Sequence, residues 1–234
     1  MTTSTETASF GPELFTFLRE LSDHNDRDWF AANKPRYEAD VLEPALAFIE
    51  DFGYRLQAIS PHLRADPRQN GGSLFRIYRD TRFAKDKSPF KTNTGMHFRH
   101  VRAKDASAPG FYLHLQPGRV FAGGGIWHPD TPAANRIREA IVARPERWRE
   151  TTREPPFAGT LELGGTDSAL KRVPSGFDKE HEFADDLRRR DFFGWATLSE
   201  QDALAPDFLD RYTRICESAS PLMRFLCDAL GLEW

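Results

Sequence analysis

The sequence predicts an α+β fold in which a mixed or antiparallel sheet, built around a central hairpin, is packed by N-terminal and C-terminal helices. Apolar residues recur at helical spacing near both ends of the chain, whereas apolar and polar residues alternate in the middle. A Pro117-Gly118 turn separates two of the alternating segments. We expect a disordered tail at residues 1–9, followed by a single α+β domain at residues 10–234.

The N-terminal quarter is predicted to be helical. Gly11-Pro12 precedes a first helix with a leucine-rich side. Asn25 or Asp26 is predicted to cap a short second helix. A third helix is predicted from Pro35, with a kink or a restart at Pro44. Its apolar side consists of Tyr37, Val41, Ala45, Phe48, Phe52 and Ile59.

The middle of the chain is predicted to form strands. After a loop at residues 66–72, segments 73–78 and 95–101 are rich in strand-forming residues. Segments 111–116 and 120–126 are predicted to be the two arms of a hairpin. In the first arm one set of alternate residues forms a core face (Phe111, Leu113 and Leu115) and the other a polar face (Tyr112, His114 and Gln116).

The C-terminal part returns to helical spacing. Asp130 or Thr131 is predicted to cap a helix that runs to about Trp148. A loop with a short strand, a helix at 182–190 and a strand at 192–197 are predicted to follow. The last predicted helix starts near Pro206, contains Pro221 as a kink, and buries Phe208, Tyr212, Ile215, Leu222, Phe225 and Leu226.

The two cysteines and the hydropathy limit the classes of protein to which this chain can belong. Cys216 and Cys227 lie eleven residues apart in a helical pattern. At about 1.5 Å per residue they are roughly 16 Å apart, too far for a disulfide, so we expect buried free thiols. No apolar run reaches the roughly 20 residues needed to span a bilayer. We expect a cytoplasmic protein with no membrane partner.

Charge is distributed unevenly along the chain. The formal net charge is −3, but residues 76–104 contain nine Lys and Arg against two Asp, a balance of +7. The remaining 23 basic and 33 acidic residues carry −10. A basic patch on an acidic body is suited to attract a phosphate or a carboxylate. The negative total is unfavourable for a general nucleic-acid-binding role.

The segment from 73 to 93 is the main candidate for a ligand site. It contains six Lys and Arg, two Asp and four aromatic residues. Guanidinium groups match phosphate and carboxylate, and aromatic rings stack on a flat ligand. We expect a small anionic partner, phosphate-bearing molecules included, with Asp80 or His114 as the proton-transfer group if a reaction follows. The expected ligand-binding residues are Arg76, Tyr78, Arg79, Arg82, Lys87, Phe90 and Lys91.

Two other interpretations of this segment stay open at this point. The same basic patch suits a nucleic-acid-binding or protein-interaction module, which would bind with a steep salt dependence. Alternatively, Asp80 with Arg76 or Arg79 forms an internal ion-pair scaffold, and Arg79→Ala would then cost several kcal/mol. The sequence identifies no cofactor and no oligomeric state.

Gly123-Gly124-Gly125 is a second candidate. If the hairpin ends there, successive glycine N–H groups form an anion-binding nest, and the following helix adds its positive end. Gly124 and Gly125 are the expected ligand-binding residues of this nest. A hairpin end that needs unusual backbone angles explains the same glycines.

Metal chemistry has two weaker patterns. His128-Pro129-Asp130 with His181 supplies the residues of a non-haem Fe(II) oxygenase triad. Such enzymes need an eight-stranded double-stranded β-helix, and the sequence does not contain eight good strands. His97, His100 and His114 approach one another if their strands are neighbours, although histidines on a polar face more often hydrogen-bond.

Several segments resemble one family over nearly the whole chain. The longest is Phe75–Asn93, and residues 109–115, 123–127 and 170–177 are also similar. Together they are similar to the DUF2461 family of uncharacterised proteins. The family has no established activity, so the resemblance implies no catalytic residue. It supports a functional role for the basic segment.

Overall fold

The computed structural model describes residues 10–82, 84–103 and 107–234. The predicted tail at residues 1–9 lies outside the described residues. Helix α1 (Pro12–Asp23) begins directly after Gly11, as the Gly-Pro pair predicts. Helix α2 (Arg27–Tyr37) is capped by Asp26, whose carboxylate accepts hydrogen bonds from the N–H groups of Asp28 and Trp29. The predicted first helix and the predicted cap of the second helix are confirmed.

The third predicted helix begins later than expected. Pro35 lies inside α2, which continues through a π-helical turn (Glu38–Leu42) into α3 (Glu43–Ile59). The expectation that Pro35 starts a helix is therefore wrong. Pro44, which has no N–H group to donate, lies at the start of α3 just after the π-helical turn, so the predicted irregularity at Pro44 is confirmed.

The sheet has six strands, all antiparallel, in the order β1-β2-β3-β4-β6-β5. The predicted central hairpin is β3–β4, and the α+β class with an antiparallel sheet is confirmed. The two-residue strand β1 was not predicted. The strands are β1 (Leu63–Arg64), β2 (Thr94–His100), β3 (Gly110–Gln116), β4 (Arg119–Ile126), β5 (Glu162–Leu163) and β6 (Phe192–Leu198).

The C-terminal helices differ from the prediction at proline and glycine positions. The helix predicted to reach Trp148 is divided into α4 (Thr131–Ala143) and α5 (Pro145–Arg153), because Pro145 restarts it. The helix predicted at 182–190 is the short α6 (Ala184–Leu187), and α7 (Glu200–Leu204) was missed. The last helix, α8 (Phe208–Leu230), passes through Pro221 without ending and stops at Gly231 in the left-handed conformation.

The core lies between one face of the sheet and helices α3 and α8. Phe98 on β2 contacts Phe52 of α3, with 4.7 Å between the ring centroids. The predicted core face of β3 is confirmed, since Phe111, Leu113 and Leu115 have no exposed surface. We call this side of the sheet the helix face.

The cysteines and the hydropathy of the helices agree with the prediction. Cys216 and Cys227 are buried free thiols. Burial raises the pKa of the Cys227 thiol to about 12, so it stays protonated near neutral pH. Within the described ranges, no helix combines the length and apolar character needed to cross a bilayer.

Candidate functional site

The basic segment extends from the edge of the sheet as an irregular hairpin, here called the basic arm (residues 76–91). Its base runs antiparallel to β2, because Phe75 N–H donates to Gly95 O and His97 N–H donates to Ser73 O. The two sides of the arm are joined by two further backbone hydrogen bonds: Arg79 N–H donates to Pro89 O (2.9 Å), and Lys91 N–H donates to Ile77 O (2.7 Å). The strand predicted at 73–78 is thus limited to isolated bridges.

Ion pairs at the tip of the arm lie on the surface. Asp80 accepts two hydrogen bonds from the Arg82 guanidinium, at 3.0 and 2.7 Å. Asp86 accepts hydrogen bonds from Ser88 and from Arg79, and these hold the pKa of its carboxyl far below the usual range. Both aspartates are exposed. The alternative of an internal scaffold at this place is therefore wrong, since an exposed pair contributes little to stability.

A cleft of about 420 Å³, here called the arm cleft, lies between the basic arm and the turn that joins α1 to α2. Arg79 and Lys91 line it, together with the amide side chains of Asn93 and Gln116. Its remaining lining residues are Ser22, Asn25, Asp86, Ser88, Phe90 and Thr92. A neighbouring cleft of about 310 Å³ shares Ser22, Thr92 and Gln116 with it.

The arm is held against the helices by Asn25 and Phe90. The Asn25 side-chain amide donates to Phe90 O and accepts from Phe90 N–H, both at 3.1 Å. The Phe90 ring stacks on Phe30 of α2, with centroids 4.1 Å apart. These contacts fix the wall of the arm cleft that carries Lys91.

The predicted ligand-binding residues divide into two groups. Arg79, Phe90 and Lys91 line the arm cleft. The other four do not contribute to its described lining: Arg76, Tyr78, Arg82 and Lys87. The Tyr78 ring is tilted against Phe90, with centroids 5.3 Å apart, and Tyr78 is 55% exposed. Lys87 donates to Thr81 O (2.9 Å), and Arg82 is turned towards Asp80.

Lys91 is a partly buried cation of the arm. Its ammonium donates to Arg76 O at 2.9 Å and lies 5.3 Å from the centre of the Phe75 ring. Burial, and to a smaller extent the nearby Arg76 charge, lower the pKa of Lys91. An anion beside Lys91 would raise this pKa again, because it would stabilise the ammonium charge against burial and against the repulsion from Arg76.

The interpretation of Gly123-Gly124-Gly125 as an anion nest is wrong. The three glycines lie inside β4, and β3 and β6 pair with them from both sides. A Cβ atom at Gly124 would lie 2.6 Å from the Phe111 ring and 3.1 Å from Met223 Sδ. At Gly125 (φ 147°) it would lie 2.3 Å from Phe192 O. These glycines permit close packing of strands and helix.

The iron-site interpretation of His128, Asp130 and His181 is also wrong. His128 Nδ1 lies 2.7 Å from the buried Asp191 carboxylate, and Asp130 caps α4 by accepting from Ala133 N–H. His181 Nδ1 accepts from Phe183 N–H. Nowhere in the described chain do three possible ligands come together. The open six-stranded sheet also differs from the fold that such enzymes use.

The three strand histidines do not face one another. His100 points into the helix face, and its Nε2 lies 2.9 Å from Glu233 O. His114 and His97 lie on the opposite side of the sheet. His114 was predicted as a candidate for proton transfer. Its Nδ1 lies 3.1 Å from the Tyr112 hydroxyl, and its Nε2 lies 3.0 Å from Gln116 Oε1. Burial lowers its pKa, and Gln116 connects it to the arm cleft.

Two features were missed at the level of sequence. Asp186, which is 1% exposed, accepts hydrogen bonds from Arg189, Arg153 and the Trp148 indole, all at 2.8–2.9 Å. In the sequence, the three-residue spacing of Asp186 and Arg189 was the signal that could have indicated this ion pair. The second feature is a layer of aromatic rings on the side of the sheet opposite the helix face.

The chain belongs to a family of conserved hypothetical proteins, the DUF2461 family, whose model matches residues 13–225. The resemblance drawn from the basic segment is thereby confirmed. Searches of curated proteins and of solved structures found no match.

Proposed function

We propose that the protein binds a small anionic molecule, such as a phosphate-bearing metabolite, in the arm cleft. The observation that carries the proposal is that Arg79 and Lys91, from opposite sides of the basic arm, line one cleft of about 420 Å³. A volume of this size is typical of small-molecule sites. Asn93 and Gln116 add amide groups that can donate to oxygen atoms.

The two cations have different roles in this proposal. Arg79 offers a planar fork, which at present contacts the exposed Asp86 carboxylate. An anionic ligand would replace Asp86 at the guanidinium, and the aspartate would turn to water. Lys91 provides a partly desolvated point charge whose hydrogen bond to Arg76 O leaves further donors for a ligand.

The basic arm offers less support for a nucleic-acid module. Arg82 is engaged by Asp80, and Lys87 by the Thr81 carbonyl. Arg79 contacts Asp86 and Lys91 contacts Arg76 O, so four cations of the arm already contact oxygen atoms of the protein. The volume of the arm cleft, about 420 Å³, matches a small ligand better than a nucleic-acid strand.

Titration calorimetry with inorganic phosphate, pyrophosphate and a panel of phosphorylated and carboxylated metabolites tests the proposal. Arg79→Ala and Lys91→Ala should each weaken binding by about tenfold or more, because a charge-assisted hydrogen bond contributes about 1.5–3 kcal/mol. Arg82→Ala is the matched control, since it removes a nearby arm cation outside the cleft lining.

The free energy of unfolding separates this site from a structural role. Arg79→Ala should change it by about 1 kcal/mol or less, since the pair with Asp86 is at the surface. If none of the anions binds the wild type, or if Arg79→Ala binds as tightly as wild type, the arm cleft is not an anion site.

A further inference from the structure

The side of the sheet opposite the helices carries a continuous layer of rings, here called the ring face. Tyr112 on β3 is central to it: its ring lies 6.0 Å from Phe75, 6.2 Å from His97 and 5.8 Å from Phe121. The layer continues through Trp195 to Phe193 on β6, with centroid separations of 5.6 and 5.9 Å. Its members are Phe75, His97, Tyr112, His114, Phe121, Phe193 and Trp195.

Strand register explains why these rings share a face. His97 pairs with Tyr112, and His114 pairs with Phe121. Between Tyr112 and Trp195 the paired residue is Gly123, where a Cβ atom would lie 2.0 Å from Gly194 O. Because Gly123 has no side chain, the large rings of Tyr112 and Trp195 on either side of it remain accessible.

The rings keep part of their surface exposed to solvent. Phe75 is 37% exposed, and most of the other ring-face side chains are half-buried. The helix face of the same strands has residues with no exposed surface. A contiguous layer of aromatic rings that each keep part of their surface in contact with solvent is typical of an interaction site.

The charge of this region is mainly positive. The 29 residues of β2, β3, β4 and β6 include no Asp or Glu, although the chain has 35 acidic residues. Three cations lie over the rings. Lys91 and Arg99 are 5.3 and 5.5 Å from the Phe75 centroid, and Arg119 is 5.3 Å from that of Phe121. Glu162 on β5 pairs with Trp195 and is exposed, so one carboxylate lies at the edge of an otherwise aromatic and cationic face.

The two imidazoles add aromatic surface without charge. Burial and the neighbouring Arg99 lower the pKa of His97 to about 4, and burial lowers that of His114. Arg99 Nε donates to His97 Nδ1 at 3.1 Å, which fixes the orientation of this ring. Both imidazoles are therefore mainly neutral near neutral pH.

We infer that the ring face binds single-stranded nucleic acid, with bases stacked on Phe75, Tyr112, Phe121 and Trp195 and phosphates held by Arg99 and Arg119. Stacking rings combined with basic side chains are the physical basis of binding to unpaired strands. Five neighbouring chain segments at about 4.8 Å spacing span roughly 19 Å. This length suits a short segment of about four nucleotides.

Charge favours this occupant over two others. In a face-to-face dimer, most cations of each copy would meet cations of the other, because among the described strands the register places one carboxylate, Glu162, on this face. A neutral carbohydrate would use the rings but would gain little from the cations. A polyanion with planar bases complements both.

Fluorescence anisotropy with labelled oligo-dT and oligo-U of twelve nucleotides tests the inference. We expect binding at low salt that weakens as salt rises, and the two oligomers distinguish DNA from RNA. Phe121→Leu and Trp195→Leu should each weaken binding between about fivefold and one hundredfold. Arg119→Gln should lower the slope of log affinity against log salt by about one.

Controls assign the binding to this face. Lys179→Gln removes an exposed cation of the α5–α6 connection and should leave the affinity unchanged, as should Arg79→Ala in the arm cleft. A blunt duplex should compete poorly, since its bases are stacked internally. The thermal unfolding profile of each variant confirms that it is folded.

Four outcomes would overturn the inference. They are no binding of either oligomer at low salt, unchanged affinity in Phe121→Leu together with Arg119→Gln, equal competition by duplex, and a wild-type dimer that Phe121→Leu dissociates in sedimentation experiments. The last outcome would assign the ring face to self-association. Failure of anion binding in the arm cleft would not affect this test, because Arg79 lies outside the ring face.

Discussion

The two faces of the sheet use the same strands in opposite ways. On the helix face, Phe98 and Phe111 are completely buried against α3, α8 and the C-terminal Trp234. On the ring face, the residues next to them in sequence are half-buried and are accompanied by Arg99 and Arg119. Alternation along a strand distributes residues between the faces, but the partner of each face decides their energetic role.

The comparison indicates where stability and binding are located. Large rings that lose all contact with water contribute most to folding. Rings that stay half-exposed contribute less to folding and retain surface for a ligand. Substitutions on the helix face should therefore affect mainly the free energy of unfolding, and those on the ring face mainly binding.

The largest expected effect is on the helix face. Phe111→Ala should lower the free energy of unfolding by about 3–5 kcal/mol, because it leaves a cavity between β3, Gly124 and Trp234. Urea denaturation followed by circular dichroism measures the change. A loss below about 1 kcal/mol would mean that the two faces do not differ in the way described.

The next effect depends on pH and belongs to the ring face. Burial lowers the pKa of His97 to about 4, whereas the unfolded chain has an ordinary histidine pKa of about 6.5. Between these values the unfolded state binds the extra proton, so stability falls as pH decreases from about 6.5 to about 4, by about 3 kcal/mol.

Denaturation at several pH values measures this dependence. His97→Asn is the matched variant, since the Asn oxygen can accept the Arg99 hydrogen bond but does not titrate. The variant should lose less stability than wild type over the same pH range. Parallel curves for the two proteins would show that His97 is not the responsible group.

Gly124→Ala tests how closely β4 approaches the helix face. The added Cβ atom would lie 2.6 Å from the Phe111 ring, so we expect a loss of about 1–3 kcal/mol from overpacking. Affinity for small anions should stay unchanged, since Gly124 points away from the arm cleft. An anion nest would give the reverse result, with weaker binding and little change in stability.

The smallest effect on stability is expected for Trp195→Ala. Because this ring is half-buried, the loss should be about 1–2 kcal/mol, less than that of Phe111→Ala. Both variants measured under one set of conditions give the comparison directly. Equal losses for the two would indicate that the ring face is as much a folding core as the helix face.

Local signals made parts of the fold predictable. The Asp26 cap, the β3–β4 hairpin and the alternation of Phe111 and Tyr112 depend on neighbouring residues, and each was confirmed. The errors concern the residues at which a predicted helix begins or ends. The apolar pattern predicted one continuous helix to about Trp148, but a new helix, α5, starts at Pro145. The π-helical turn after α2 has no clear signature in the sequence.

The candidate site was predictable only in part. The density of charge in the basic segment predicted a site there, and two residues of that segment, Arg79 and Lys91, line a cleft. Their role in binding stays a prediction. Asn25, Asn93 and Gln116 were not predicted, because an amide on a distant segment carries no local signal for a shared cleft. The orientation of Arg82 depends on its pairing with Asp80.

The sequence by itself determined the alternation of the strands, the basic segment and the separation of the two cysteines, because these follow from spacing along one chain. Only the tertiary structure decided which side chains meet. The ring face collects residues from five chain segments through strand register, and the arm cleft forms where Asn25 holds Phe90. Such long-range contacts depend on pairing geometry, which no single segment contains.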